Sequence, residues 1–234
     1  MINVYLNGAS GRMGAAVKSI ISETNDFNLL DMDLSEKHDC IIDFSRPDSC
    51  INLILERKKK KILTPIIIGT TGFNEHQLRV IDDAAKFSPI LLSFNMSQGI
   101  SNLKKGIKKI IEDLNCSTIC TINDYHHVNK VDAPSGTAIE LKNLIEEMDK
   151  NKFIESIEIK SFREGDFFGI HEVDFKSNEN HVTLKHKALS RLIFADGALR
   201  AAKKIINKKP GSEMPGVPAS EIKAILDPFR ISWA

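Results

Sequence analysis

The sequence has almost no net charge, because 32 basic residues stand against 31 acidic ones. It therefore lacks the field that draws in nucleic acid or an anionic membrane. Cysteine is scarce too. Cys40, Cys50, Cys116 and Cys120 are too few for a disulfide framework and are expected to be reduced, buried thiols. Cys116 and Cys120 would make half a metal site, but no second pair accompanies them. No apolar run approaches the length of a membrane span, and the chain enters a strand pattern at once, so a cytoplasmic location is expected. Internal repeats and low-complexity tracts are missing. With 42% hydrophobic residues in 234, the chain is long enough to bury one large core or two small ones.

Periodicity divides what is there. Ile2, Val4 and Leu6 alternate with polar neighbours as a first strand, and Met13, Val17, Ile20 and Ile21 then recur at helical spacing. "NLLDMD" reads as a second strand, and "CIIDFS", "PIIIGTTG" and "PILLSFN" as apolar strands ending in turn residues. Between them lie a helix opened by Ser45 to Asp48, with Pro47 in its first turn, and one capped by Asn74. Apolar strands alternating with helices predict a doubly covered parallel sheet, whose ligands lie beyond the carboxyl ends of the strands. That rule points to residues 8–13, Ser45, 69–71 and 93–96. After residue 96 the order changes to "GISNLKKGIKKIIEDL" as helix, "STICTINDY" as strand, "AIELKNLIEEM" as helix, then three strand-like runs and a helix from "SRLIFADGALRAAKKII". The predicted fold is α/β: a Rossmann-like dinucleotide domain over 1–96 and an α+β domain with a mixed sheet over 97–208, and the family resemblance given below implies that 209–234 returns to the first domain. A short last helix is read from Ser220 to Leu226.

Gly8, Gly11 and Gly14 in "LNGASGRMGAAV" follow a strand and open a helix, the setting of a pyrophosphate loop. The spacing lacks the usual middle glycine, so the motif by itself is equally an ordinary turn. "GTTGF" offers backbone and hydroxyls at Gly69, Thr70 and Thr71. "YHHVNKVDAPSGTA" is denser in chemistry. It gathers His126, His127, Lys130, Asp132, Ser135 and Thr137, and "PSGT" leads into a helix whose N–H groups suit a carboxylate. In an extended segment His126 and His127 point to opposite sides and take different tasks. His171, His181 and His186 lie scattered on strands without metal-ligand spacing, so no metal site is assigned. "ERKKKK", Glu56 to Lys61, reads first as the solvated last turn of a helix and second as a phosphate-binding patch.

Seven segments in order, "GASGRMG", "IDFSRP", "GTTGF", "FNMSQG", "HHVNKVDAPSGTA", "REGDFFGIHEV" and "LSRLIFADGALRAA", resemble the 4-hydroxy-tetrahydrodipicolinate reductase (dihydrodipicolinate reductase) family from residue 2 to about residue 206. The resemblance implies an enzyme of lysine biosynthesis through diaminopimelate. It uses NADH or NADPH to reduce 4-hydroxy-tetrahydrodipicolinate, with loss of water, to tetrahydrodipicolinate. It also implies a homotetramer acting on a small dicarboxylate, with no nucleic-acid or membrane partner. By the same resemblance His126 and Lys130 are catalytic, and His127, Ser135, Gly136 and Thr137 contact substrate. Gly8, Ala9, Ser10, Gly11, Arg12 and Met13, with Gly69, Thr70, Thr71, Ser93, Phe94, Asn95 and Met96, hold the cofactor. Two departures stand out. The segment after the second strand is shortened, leaving Asp33 as the ribose-binding acid with Asp31 nearly equivalent. Asp124 stands where the family often has Glu. Outside this reading lie another two-domain dehydrogenase of a small amino or keto acid and a non-catalytic dinucleotide sensor. The His126 to Thr137 cluster separates the sensor from the enzymes, because a sensor needs no proton donor.

Overall fold

A computed structural model describes residues 1–31 and 38–210. The described residues divide into two units, Met1–Met96 with the described chain from Leu192, and Ser97–Arg191.

In the first unit, strands β1 (Ile2–Asn7), β2 (Phe27–Leu30), β3 (Cys40–Asp43), β4 (Ile66–Ile68) and β5 (Ile90–Leu92) form a parallel sheet in the order β2-β1-β3-β4-β5. Helices α1 (Arg12–Ser22), α2 (Pro47–Lys60) and α3 (Glu75–Ala85) lie between strands in sequence. The strand alternation sorts the core. Val4, Leu6, Ile42, Ile67 and Leu91 pack with α1, while Ile41, Ile66, Ile68 and Leu92 pack with α2 and α3. Each fully buried Ile or Leu stabilises the fold by about 1.5–3 kcal/mol. A capping box of Asn74 and Gln77 starts α3, while Arg46 stands at the N-terminal boundary of α2 with no side-chain capping bond and Pro47 follows it.

Helix α6 (Leu192–Ile205) corrects the expected boundary. Reading 97–208 as one domain placed it with the second sheet. Instead Ala195, Ala198, Leu199, Ala202 and Ile205 are buried with α1 and the first sheet. Its stripe of small residues lets it lie close to that sheet, and periodicity says nothing about which core an apolar stripe enters. Of the expected 209–234 segment, residues 211–234, with the short helix read there, lie outside the described residues.

In the second unit, β6 (Thr118–His126), β7 (Ile154–Arg163), β8 (Ile170–Lys176) and β9 (His181–Lys187) form a mixed sheet in the order β7-β6-β8-β9. β6 and β7 are parallel, and the other pairs antiparallel. Helices α4 (Gln98–Asp113) and α5 (Gly136–Met148) cover one face. Ile100, Leu103, Ile107 and Ile111 give α4 its buried stripe against Cys120, Ile122 and Val173. A buried ion pair, Lys104 Nζ to Glu140 Oε2 at 3.1 Å, ties α4 to α5. All four cysteines are free thiols, but Cys116 is exposed rather than buried as expected, since it falls in the turn before β6.

Candidate active site

β6 alternates strictly, with Thr118, Cys120, Ile122, Asp124 and His126 all buried on the helix-covered side. The apolar stripe thus ends in a carboxylate and an imidazole. Strand register supplies the rest, setting His171 opposite Asp124 and Arg163 opposite His126. Asp124 is fully buried and gathers them. Its Oδ2 accepts from Ser135 N–H at 2.9 Å and from the Arg163 guanidinium at 3.0 Å. Its Oδ1 accepts from Ser135 Oγ at 2.8 Å and lies 3.3 Å from His171 Nε2. His126 Nε2 sits 3.1 Å from the same oxygen, at ion-pair distance but off the line of a hydrogen bond. Burial raises the Asp124 carboxyl, but His126, His171 and Ser135 outweigh it and hold the group far below the usual carboxylate range. Burial pushes His171 down despite Asp124 beside it.

Ser135 caps α5, accepting from Ala138 N–H at 3.2 Å. It is 2% exposed, and its N–H and hydroxyl are both engaged by Asp124. Gly136 and Thr137 occupy the first turn, at the positive end of the helix dipole. Lys130 Nζ pairs with Asp132 Oδ1 at 2.7 Å. Arg163 also donates to Asp132 O at 2.5 Å and to Asp124 O at 3.2 Å, which fixes the loop that carries Lys130. His127, beyond the last residue of β6, donates its N–H to Phe167 O and accepts from Lys130 N–H.

Asp124, His126 and His171 are also a trio whose ligand atoms lie within 4.8 Å of one another. Arg163 already supplies the positive charge on that carboxylate, and both its oxygens accept from protein donors, so a second cation there meets repulsion. The donor set fits a hydrogen-bonded hub.

The first unit has a similar hub at the carboxyl edge of its sheet. Fully buried Asp43, ending β3, accepts from Asn7 Nδ2 at 2.5 Å, from Ser45 Oγ at 3.0 Å and from the Thr70 hydroxyl. It joins the ends of β1, β3 and β4. Thr70 is therefore buried and turned inward, while Gly69 and Thr71 stay partly exposed. Gly8 has φ +87, and a Cβ there would stand 2.4 Å from Phe44 O. At Gly14 a Cβ would stand 2.4 Å from Gly8 O, so only glycine lets α1 close on the loop. Gly11 begins α1 with no side chain over the first N–H groups, and Ser10, Gly11 and Arg12 are exposed around that helix end, with Ala9 and Met13 half-buried. This is a fit for a pyrophosphate. Ser93 is buried and bonds Ile68 O at 3.0 Å. Phe94 packs on the α2–α3 side, Met96 on the α1–α6 side, and Asn95 lies between them in sequence. Asp33 lies outside the described residues. Asp31 is exposed, and its carbonyl meets His38 Nε2 at 3.0 Å.

Sequence reading missed Asp43, Arg163 and His171, and gave Asp124 no role. A carboxylate closing an apolar strand run was the available signal for both aspartates. Arg163 and His171 have none, because their partner is set by register.

Comparison with known proteins identifies the family of the chain. The family described as "Dihydrodipicolinate reductase, N-terminus" matches residues 31–96, and "Dihydrodipicolinate reductase, C-terminus" matches residues 99–215. The 4-hydroxy-tetrahydrodipicolinate reductase of Rickettsia bellii is 36% identical over 236 residues, covering 90% of this chain and 92% of that protein. The chain belongs to the dihydrodipicolinate reductase family. The corresponding reductase of Caldanaerobacter subterraneus is 33% identical over 245 residues, covering 90% of this chain and 95% of its own length. A dipicolinate-bound dihydrodipicolinate reductase from Paenisporosarcina sp. TG-14 has the same fold, with a TM-score of 0.67 at 19% identity over 90% of this chain and 96% of that one. A myo-inositol dehydrogenase of Corynebacterium glutamicum shares it more loosely, with a TM-score of 0.60 at 15% identity over 96% of this chain and 95% of its own. The reductase family thus spans both units.

Proposed function

We propose that this chain reduces 4-hydroxy-tetrahydrodipicolinate, with loss of water, to tetrahydrodipicolinate, as an NADH- or NADPH-dependent oxidoreductase of lysine biosynthesis in the cytoplasm. The observation that carries the reading is the Asp124 hub. It holds an imidazole and the N-terminus of α5 on one buried carboxylate, within a family of reductases. When bound, the nicotinamide supplies hydride. The protein's own residues hold the dianion and move the proton.

His126 is the proton donor, kept in place by Asp124 at its Nε2. Lys130 is the second proton-handling group and a cation for the substrate, poised by Asp132. His127, Gly136 and Thr137 receive substrate carboxylates, the latter two through the first turn of α5. Ser135 is a positioning residue that locks this turn to Asp124. In the first unit, residues 8–13 receive the pyrophosphate, with Arg12 beside it. Gly69 to Thr71 and Ser93 to Met96 serve the nicotinamide end, and Thr70 acts through Asp43. A homotetramer is proposed through the face of the second sheet turned away from α4 and α5. Ile119, 47% exposed, and the stacked Tyr125–Phe162 pair lie there, away from α4 and α5.

The decisive assay makes the substrate in place from pyruvate and aspartate semialdehyde with the synthase, and follows cofactor absorbance. Oxidation of NADH or NADPH above the synthase-only rate is expected. No excess oxidation with either cofactor would overturn the proposal.

A further inference from the structure

The charge run after Glu56 hides one residue unlike its neighbours. Lys59 and Lys60 are exposed in the last turn of α2, where cations suit the negative end of the helix dipole. Arg57 is 4% exposed. Its Nε has no hydrogen-bond partner, and its terminal nitrogen reaches Thr64 O only at a long 3.5 Å. Burial pulls the guanidinium down to about 10, and among the described residues no carboxylate accompanies it. A buried cation left this way is costly unless something pairs with it.

Arg57 lines a cavity of about 440 Å³ at the amino-end edge of the first sheet, opposite the glycine loops. That volume lies within the range of small-molecule sites. The cavity is walled by Ile54, Leu63, Ala84, Phe87 and Ile90, with Lys58 and Lys61 among its residues. None of the described residues that line it is acidic. Asp83, on the neighbouring turn of α3, is held by Lys86 at 2.7 Å. Lys58 lies over the Phe87 ring, 5.3 Å from its centre. Leu63 and Phe87 are more than half exposed, so the apolar wall opens to solvent. An apolar body and a single anionic head match these walls. A bare phosphate would leave them unfilled.

We propose that this cavity binds a small organic carboxylate with an apolar body, the carboxylate on Arg57 and the body against Leu63, Ala84 and Phe87. The site is independent of the reductase chemistry and stands or falls without it.

The test is calorimetric titration of the full chain with octanoate, octan-1-ol, octylammonium and inorganic phosphate, with amide chemical shifts locating the site. Octanoate is expected to bind at least about tenfold more tightly than the other three, a difference of about 1.4 kcal/mol, and to shift residues 54–63 and 84–90. Arg57→Met should lower octanoate affinity to that of octan-1-ol. Lys58→Glu/Lys61→Glu, both exposed positions, keeps the test open if the buried variant fails to fold; it should weaken octanoate and strengthen octylammonium. Equal affinity for octanoate and octan-1-ol overturns the proposal. So does octanoate affinity unchanged in the charge variants, or no saturable binding up to about 10 mM.

Discussion

At the scale of single residues, the site depends on which donors each carboxylate keeps. Lys130 pairs with Asp132 and belongs to the second unit, not to the glycine loops. Lys130→Ala is therefore expected to lower kcat by about 100-fold or more, with the cofactor Kd unchanged by fluorescence titration. Arg12 is exposed beside the uncapped start of α1. Arg12→Ala should weaken cofactor binding by about tenfold, the worth of one charge-assisted hydrogen bond, while kcat at saturating cofactor changes little. Asp124 is different, because removing its charge strands Arg163. Asp124→Asn should destabilise the protein by about 3–5 kcal/mol in urea titrations.

At the scale of elements, buried charge joins what periodicity cannot. Lys104 and Glu140 lie on apolar faces of α4 and α5, so removing one takes a buried ion-pair partner from the other. Lys104→Met should cost about 3–5 kcal/mol, and Lys104→Met/Glu140→Leu should recover most of it, as read by the urea midpoint. His171 on β8 gives a pH signature. Its folded pKa is depressed by burial, so the neutral ring contributes stability above the unfolded value of about 6.5 that is lost as pH falls below it. Half-buried His186 adds in the same direction. Asp124, also depressed, adds a loss that starts only near pH 4. Urea midpoints between pH 7 and 5 should fall for the wild type, and less for His171→Gln.

At the scale of the whole molecule, the second sheet has one face under α4 and α5, and on the other, among the described residues, Ile119 is exposed. Light scattering on the full chain is expected to give four times the chain mass, and Ile119→Lys should shift it toward smaller species.

Local order determined much of this protein by itself. The strands, helices and caps follow from alternation, helical spacing and residues such as Pro47 and Asn74, because each depends on neighbours a few positions away. The glycine loop and the "HHVNKVDAPSGTA" stretch stand out in the sequence for the same reason, since each gathers its candidate groups in one short segment. Tertiary structure decided the rest. It put α6 on the first sheet, turned Ser135 and Thr70 inward, and brought Arg163 and His171 to Asp124. Those outcomes depend on strand register and on which core an apolar face enters. Both are set by contacts between residues distant in sequence, where spacing along the chain carries no information.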